Sequence, residues 1–198
     1  IKINNNYFEA YNNRANVYIE LNKLDKALTD FNKVIELKPN LAEAYNNRGN
    51  VKNQLKKFDD ALEDYNKAIQ IKPNFAEAYN NKAIILNDNY KFKEAIENYT
   101  KAIEINPNIN FLLGSLMFLK LNVCDWKSYS EDLNLINNKI IGNLPVSTPW
   151  SFLHFSNSPD LQKKNTEIFI KKKYSHLNIS QNLIKKNKNK KIRLGYYS

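Results

Sequence analysis

Three stretches of the chain recur at a fixed distance. NYFEAYNNRANVY (6–18), NLAEAYNNRGNVK (40–52) and NFAEAYNNKAIIL (74–86) align without gaps at a spacing of 34 residues. Each is followed by a second matching block: KLDKALTDFNKVIELKP, KFDDALEDYNKAIQIKP and KFKEAIENYTKAIEINP. A unit this short cannot bury an apolar face by itself, so successive copies must stack and share a core. In the second block of the first copy, Ala27, Leu28, Phe31, Val34 and Ile35 recur at three- and four-residue steps. That is the spacing of one helix face. Pro39, Pro73 and Pro107 close the three copies, where a proline stops one helix and opens the turn to the next.

The residue types inside the unit resemble those of the tetratricopeptide repeat. Tyr11, Tyr45 and Tyr79 open the first helix, helix A, and Ala15, Gly49 and Ala83 stand at one equivalent position along it. Small residues there let two helix axes approach closely, and neighbouring aromatics fill the grooves. In the second helix, helix B, the matching sets are Ala27, Ala61 and Ala95; Phe31, Tyr65 and Tyr99; and Val34, Ala68 and Ala102. The expected fold is all-α: an α-solenoid of three repeats over residues 1–106, with capping and linker helices behind it and a short terminal strand.

After Pro107 the pattern holds for one helix and then fails. NFLLGSLMFLKLN (110–122) is far more apolar than the helices before it, with Met117 on the small crossing position and Tyr129 on the alanine position of helix B. Two bulky residues at a crossing force the helices apart. Residues 107–141 are therefore read as a cap, its apolar surface covered by a further layer. VCDWKSYSEDLNLINNKII (123–141) is expected to be a helix capped near Asp125. Residues 142–190 form a connection: GNLPVSTP, a short apolar helix or turn from Trp150 to Phe155, a helix opened by Ser158-Pro159-Asp160, and a partly helical polar linker from Asn178 to Lys190. KIRLGYYS (191–198) reads as a strand.

The ordered set of Cys124, Asp125, Trp126 and Tyr129, then LPVSTPWSFL, SPDLQ and KIRLGYYS, resembles the protein O-linked N-acetylglucosamine transferases of glycosyltransferase family 41. The resemblance implies that the repeats lead into a catalytic region whose first strand is KIRLGYYS. It implies transfer of N-acetylglucosamine from its UDP derivative to Ser or Thr of proteins. It also places the histidine motif and the donor contacts beyond Ser198, so no catalytic residue and no cofactor site is assigned to these residues; the UDP-GlcNAc donor belongs to the parent enzyme. The first residue is Ile rather than Met, which leads to the expectation of a longer parent protein.

Charge narrows the alternatives. The net charge is +10, yet residues 5–106 carry 15 basic against 15 acidic side chains, while residues 160–198 carry 11 against 2. The excess sits in KKK (171–173) and KKNKNKK (185–191), without the interleaved aromatics of a single-strand-binding surface. A solvated face and a polar linker account for it more economically than a nucleic-acid site. No apolar run reaches membrane-spanning length, and the single Cys124 fits a reducing compartment, which together make cytoplasmic the expected location. His154 and His176 lack partners at metal-ligand spacing. The function classes left standing are a transferase's substrate-holding and connecting part, and a repeat scaffold that binds other proteins.

Either way, the binding surface expected is the inner side of helix A. Repeat positions 2, 6, 9 and 13 share one helical face. They hold Glu9, Glu43 and Glu77; Asn13, Asn47 and Asn81; Asn16, Asn50 and Ile84; and Glu20, Gln54 and Asp88. A column of carboxamides offers donors and acceptors to the main chain of an extended peptide whatever its side chains. The family resemblance implies an asparagine ladder in this place, on Asn13, Asn47 and Asn81, and a substrate-selecting role for acidic residues at position 2, where this chain has Glu instead of Asp. Asn12, Asn46 and Asn80, one residue earlier, are expected at the groove edge, and Arg14, Arg48 and Lys82 in salt bridges to neighbouring helices.

Overall fold

The computed structural model describes residues 7–175, and among them every element is a helix. The terminal strand, the linker from Asn178 to Lys190 and His176 lie outside the described residues. Six helices form three antiparallel pairs: α1 (Tyr7–Glu20) with α2 (Leu24–Leu37), α3 (Ala42–Gln54) with α4 (Phe58–Ile71), and α5 (Ala76–Asp88) with α6 (Phe92–Ile105). Each pair packs on the next, α2 on α3, α4 on α5, and α6 on α7 (Leu112–Asn122). The crossing residues Ala15 and Ala83 are buried completely, as are Ala27, Ala61 and Ala95 of helix B. At Gly49 the need for a small residue is direct, since a β-carbon there would lie 2.7 Å from the Tyr65 ring.

The turn from helix A to helix B is the same in every repeat. Asn22, Lys56 and Tyr90 take left-handed backbone angles, and the next residue's N–H reaches back to the carbonyl five residues earlier. Lys23 donates to Tyr18 O at 2.7 Å, Lys57 to Lys52 O at 2.9 Å and Lys91 to Leu86 O at 2.8 Å. This bond satisfies a carbonyl that the helix end would otherwise leave unpaired. The series continues beyond the third repeat. Cys124 has φ 57°, and Asp125 N donates to Lys120 O at 2.9 Å. Register 22, 56, 90, 124 thus runs through a fourth turn, although the side-chain pattern has lapsed there.

After that turn the pairing changes. The helix expected from about Asp125 starts at Tyr129 instead, as α8 (Tyr129–Ile141). Residues 123–128 are occupied by the left-handed turn, and Ser128 and Asp132 are joined at 2.7 Å at the new start. The helices are parted as Met117 and Tyr129 require: α7 and α8 approach each other far less closely than the two helices of a repeat. The chain from 145 to 155 fills the opening. Met117, Ile136, Ile140, Val146, Phe152 and Phe155 form one buried cluster, and the Tyr129 hydroxyl donates to Phe155 O at 3.3 Å.

Two short-loop helices complete this layer, α9 (Pro149–Leu153) and α10 (Pro159–Lys173). Both begin with proline behind a hydroxyl cap: Thr148 Oγ1 accepts from Ser151 N, and Ser158 Oγ from Leu161 N, which removes an orphan donor at each start. α7 is apolar on all sides because both sides are covered. Leu112, Leu116 and Leu119 pack on Ala83, Leu86, Ala95, Tyr99 and Ala102 of the last repeat, and Met117 and Leu113 pack on the C-terminal layer.

Candidate functional site

Helices A of successive repeats lie side by side, α3 against α5, and their facing side chains are carboxamides. Asn81 Nδ2 donates to Asn46 Oδ1 and to Asn50 Oδ1, both at 3.0 Å. Asn50 Oδ1 also accepts from the Tyr65 hydroxyl at 2.8 Å. Burial raises the Tyr65 pKa well above the ordinary phenol value, so the hydroxyl remains a donor at any working pH. The consequence is a fixed orientation for Asn50 and Asn81: Asn81 Nδ2 is spent on the oxygens of Asn46 and Asn50, and Asn50 Oδ1 accepts twice, which leaves the amide hydrogens of Asn50 for another acceptor.

The other expected residues divide by position. Asn13 and Asn16 in α1 are exposed, and Asn47 is half-buried. Glu9 and Glu77 are exposed. Glu43 is held by Lys72 Nζ at 2.7 Å, from the end of helix B in its own repeat, and that hydrogen bond keeps its carboxyl below the usual carboxylate range. The second asparagine column departs from expectation: Asn46 is buried and serves as an acceptor in the network. Ala42 and Ala44 beside it are equally buried, since this side of α3 is covered by the rest of the array.

The ion pairs beneath this face are between helices A and B. Arg14 Nε and Nη2 each reach an oxygen of Asp30 at 2.7 Å. Arg48 repeats the fork on Asp64 at 2.8 and 2.6 Å, and adds Asn32 of the preceding repeat at 2.8 Å. Lys52 Nζ lies 2.9 Å from the same Asp64. These carboxylates are buried, and a bidentate guanidinium satisfies both oxygens at once. Sequence reading placed the arginines in salt bridges without naming the partners. The signal was available, because Arg14 with Asp30 and Arg48 with Asp64 share one separation of 16 residues. The third repeat has Lys82 and Asn98 at those positions, so the pair is absent by composition. Asp132 keeps the register in the cap and pairs with Lys120 at 2.7 Å.

Elsewhere, His154 is seated between aromatic rings, 4.9 Å from Phe118 and 5.0 Å from Trp150 by centroid, with Nδ1 2.8 Å from Trp150 O. A depression of about 930 Å³ runs between α10 and the 143–145 loop, lined by both signs of charge, among them Asp160, Lys163, Glu167 and Lys171. No described helix is long and apolar enough to cross a membrane.

Comparison with known proteins agrees with this geometry. Models of the tetratricopeptide repeat match residues 42–75 and 76–109, and a model of the TPR repeat matches 15–54. Among solved structures the chain is similar to the first TPR of Spaghetti (RPAP3) bound to the HSP90 peptide SRMEEVD, at 22% identity and TM-score 0.58, over 63% of this chain and 98% of that one. The NMR structure of the first TPR domain of human RPAP3 gives 22% and 0.58 over 61% and 95%. The MamA RS-1 ArsTM double mutant gives 24% and 0.58 over 65% and 72%. At such identities the likeness is one of fold alone. No curated protein sequence matches the chain. Over residues 15–109 the chain carries a tetratricopeptide-repeat array.

Proposed function

We propose that this chain is a protein-binding scaffold whose repeats hold an extended peptide along the face built by helices A. The observation that carries the reading is the bridged carboxamide set of Asn46, Asn50 and Asn81, fixed from below by Tyr65. Amides held in one orientation engage a peptide main chain without losing rotamer freedom at the moment of binding. Asn13, Asn16 and Asn47 extend the row, with Glu9, Glu43 and Glu77 along one rim. That the RPAP3 repeat domain holds a peptide adds support to this class of partner.

The test is to select binders from a library of unstructured peptides and titrate the best with the Asn13→Ala/Asn47→Ala double variant. Neither side chain is part of the bridged set, so folding should be unaffected, while affinity falls about tenfold, the effect of losing one or two hydrogen bonds. Unchanged affinity, or a library yielding no binder, would overturn the reading.

A second, finer reading is that the array and cap join substrate recognition to the catalytic region of a protein O-GlcNAc transferase. It is supported by the ordered motifs from Cys124 onward and by the way α7 shares one core with the last repeat and another with α8–α10, which makes a stiff joint. On this reading UDP-GlcNAc binds in the parent enzyme, outside these residues. Incubation of the full parent protein with labelled UDP-GlcNAc and an acceptor protein decides it, absence of label on Ser or Thr being the adverse result.

A further inference from the structure

The first helix of the array leaves uncovered a stripe that its two counterparts bury. Tyr7, Ala10, Arg14 and Val17 follow one another at steps of three and four residues, so they share a face of α1. Val17 is 51% exposed, whereas its repeat equivalents Val51 and Ile85 are 0% and 1% exposed. Ala10 is exposed, whereas Ala44 and Ala78 are buried. The Arg14 side chain is 55% exposed and that of Arg48 only 18%, because Asn32 of the preceding helix B covers the second.

What covers the equivalent stripes is seen twice in the same molecule. Val51 packs with Ala27 and Phe31 of α2, flanked by Leu28, and Ile85 packs with Ala61 and Tyr65 of α4, flanked by Leu62. The occupant is a helix with Ala, then an aliphatic residue, then an aromatic on the next turn. A second copy of the chain has no such face to lend, since α2, α4 and α6 are each already covered by α3, α5 and α7. The sequence supplies the remaining clue. IKINNN (1–6) aligns at the 34-residue spacing with IELKPN (35–40), IQIKPN (69–74) and IEINPN (103–108), all of which end a helix B and its turn. The repeat register therefore runs on to the N-terminal side of Tyr7.

We propose that the exposed stripe of α1 is the seat of a further helix B belonging to a preceding repeat in this same register. A preceding repeat would place its own helix A beside α1. The seat is independent of what the row binds.

The test extends the full chain with LDKALTDFNKV, the sequence of residues 24–34, placed directly before Ile1 so that the register is restored. Hydrogen exchange of the α1 amides should slow at least about tenfold, toward the rates of α3. Val17→Asp should cancel that slowing in the extended chain, yet move the melting temperature of the unextended chain by no more than about 1 °C, as a surface change does. An extension that leaves α1 exchange unchanged overturns the proposal, as does Val17→Asp failing to cancel its effect. If α1 exchange in the unextended chain slows with concentration and the chain sediments as a dimer, the seat belongs to a second copy and the proposal falls.

Discussion

The repeats and the cap are built on the same backbone register but hold together differently. From α1 to α6 every pair crosses on small residues, with an aromatic of helix B closing the groove and an Arg–Asp fork tying helix A to helix B in two repeats of three. From α7 onward the left-handed turn at Cys124 and the acidic residue at Asp132 keep their places, while the crossing residues become Met117 and Tyr129. Identical turns followed by different packing teach that the turn sets where a second helix begins to fold back. The crossing residues decide whether it can close. In the cap it cannot, and the 145–155 segment takes the position instead.

The largest effect expected from breaking this comparison is at Gly114. Its N–H donates to Val146 O at 2.8 Å, and a β-carbon there would lie 2.1 Å from Ser147 Oγ and 2.7 Å from its Cα. Backbone cannot swing aside as a side chain does, so Gly114→Val should cost about 3 kcal/mol and release the cap. Both tryptophans lie beyond the repeats, Trp126 in the cap and Trp150 in the segment behind it, so fluorescence reads the C-terminal layer separately. Its denaturant transition should precede the loss of helical circular dichroism. Gly49→Ala presses only on the Tyr65 ring, and alanine already serves opposite Phe31 and Tyr99 in the other repeats. Its gain in helix propensity should keep the net change within about 1 kcal/mol. Equal costs at the two glycines would mean that α7 meets the 145–155 segment no more tightly than the two helices of one repeat meet each other.

Much of this was legible in the sequence, for physical reasons that also mark the limit. A repeat exposes its packing three times over, so the helices, the crossing residues Ala15, Gly49 and Ala83, and the shared face of helix A could all be read from spacing. The crowding at Met117 and Tyr129 could be read too, because register gives each residue an implied neighbour. The start of α8 was misplaced because Asp125 looks like a cap, whereas the left-handed turn consumes the residues as far as Ser128. Burial of Asn46 escaped because three neighbouring asparagines look alike until the array is stacked. The contact of Gly114 with Ser147 joins segments that no periodicity relates, so nothing short of the fold could disclose it.

The next effect in size contrasts the ion pairs of the two regions. Asp64 is almost wholly buried and is held by Arg48 and Lys52. Arg48→Ala leaves it one cation and should cost about 2 kcal/mol, less than the loss of a lone partner because Lys52 remains. Asp132 in the cap is more open to water, its side chain 30% exposed, and Lys120→Ala should cost less than about 1 kcal/mol. Urea unfolding of the two variants checks both values. A larger loss at Lys120 would show that the cap, rather than the array, relies on its charges.

The smallest effect tests whether the shared register carries energy or only geometry. Lys56 and Cys124 hold the same left-handed conformation, with φ 60° and 57°, and the residue after each donates the same backward hydrogen bond at 2.9 Å. A side chain with a β-carbon costs about 1–2 kcal/mol in that conformation. Glycine removes the cost but gives back about 0.4–1 kcal/mol through the freer unfolded chain. Lys56→Gly and Cys124→Gly should therefore each stabilise by about 0.5–1 kcal/mol, read as a higher urea midpoint at unchanged slope. The tryptophan signal isolates the second variant. If Lys56→Gly stabilises and Cys124→Gly does not, the fourth turn is held by the cap's packing against Met117 and Tyr129. Its place in the 34-residue series is then set by that packing rather than by the turn itself.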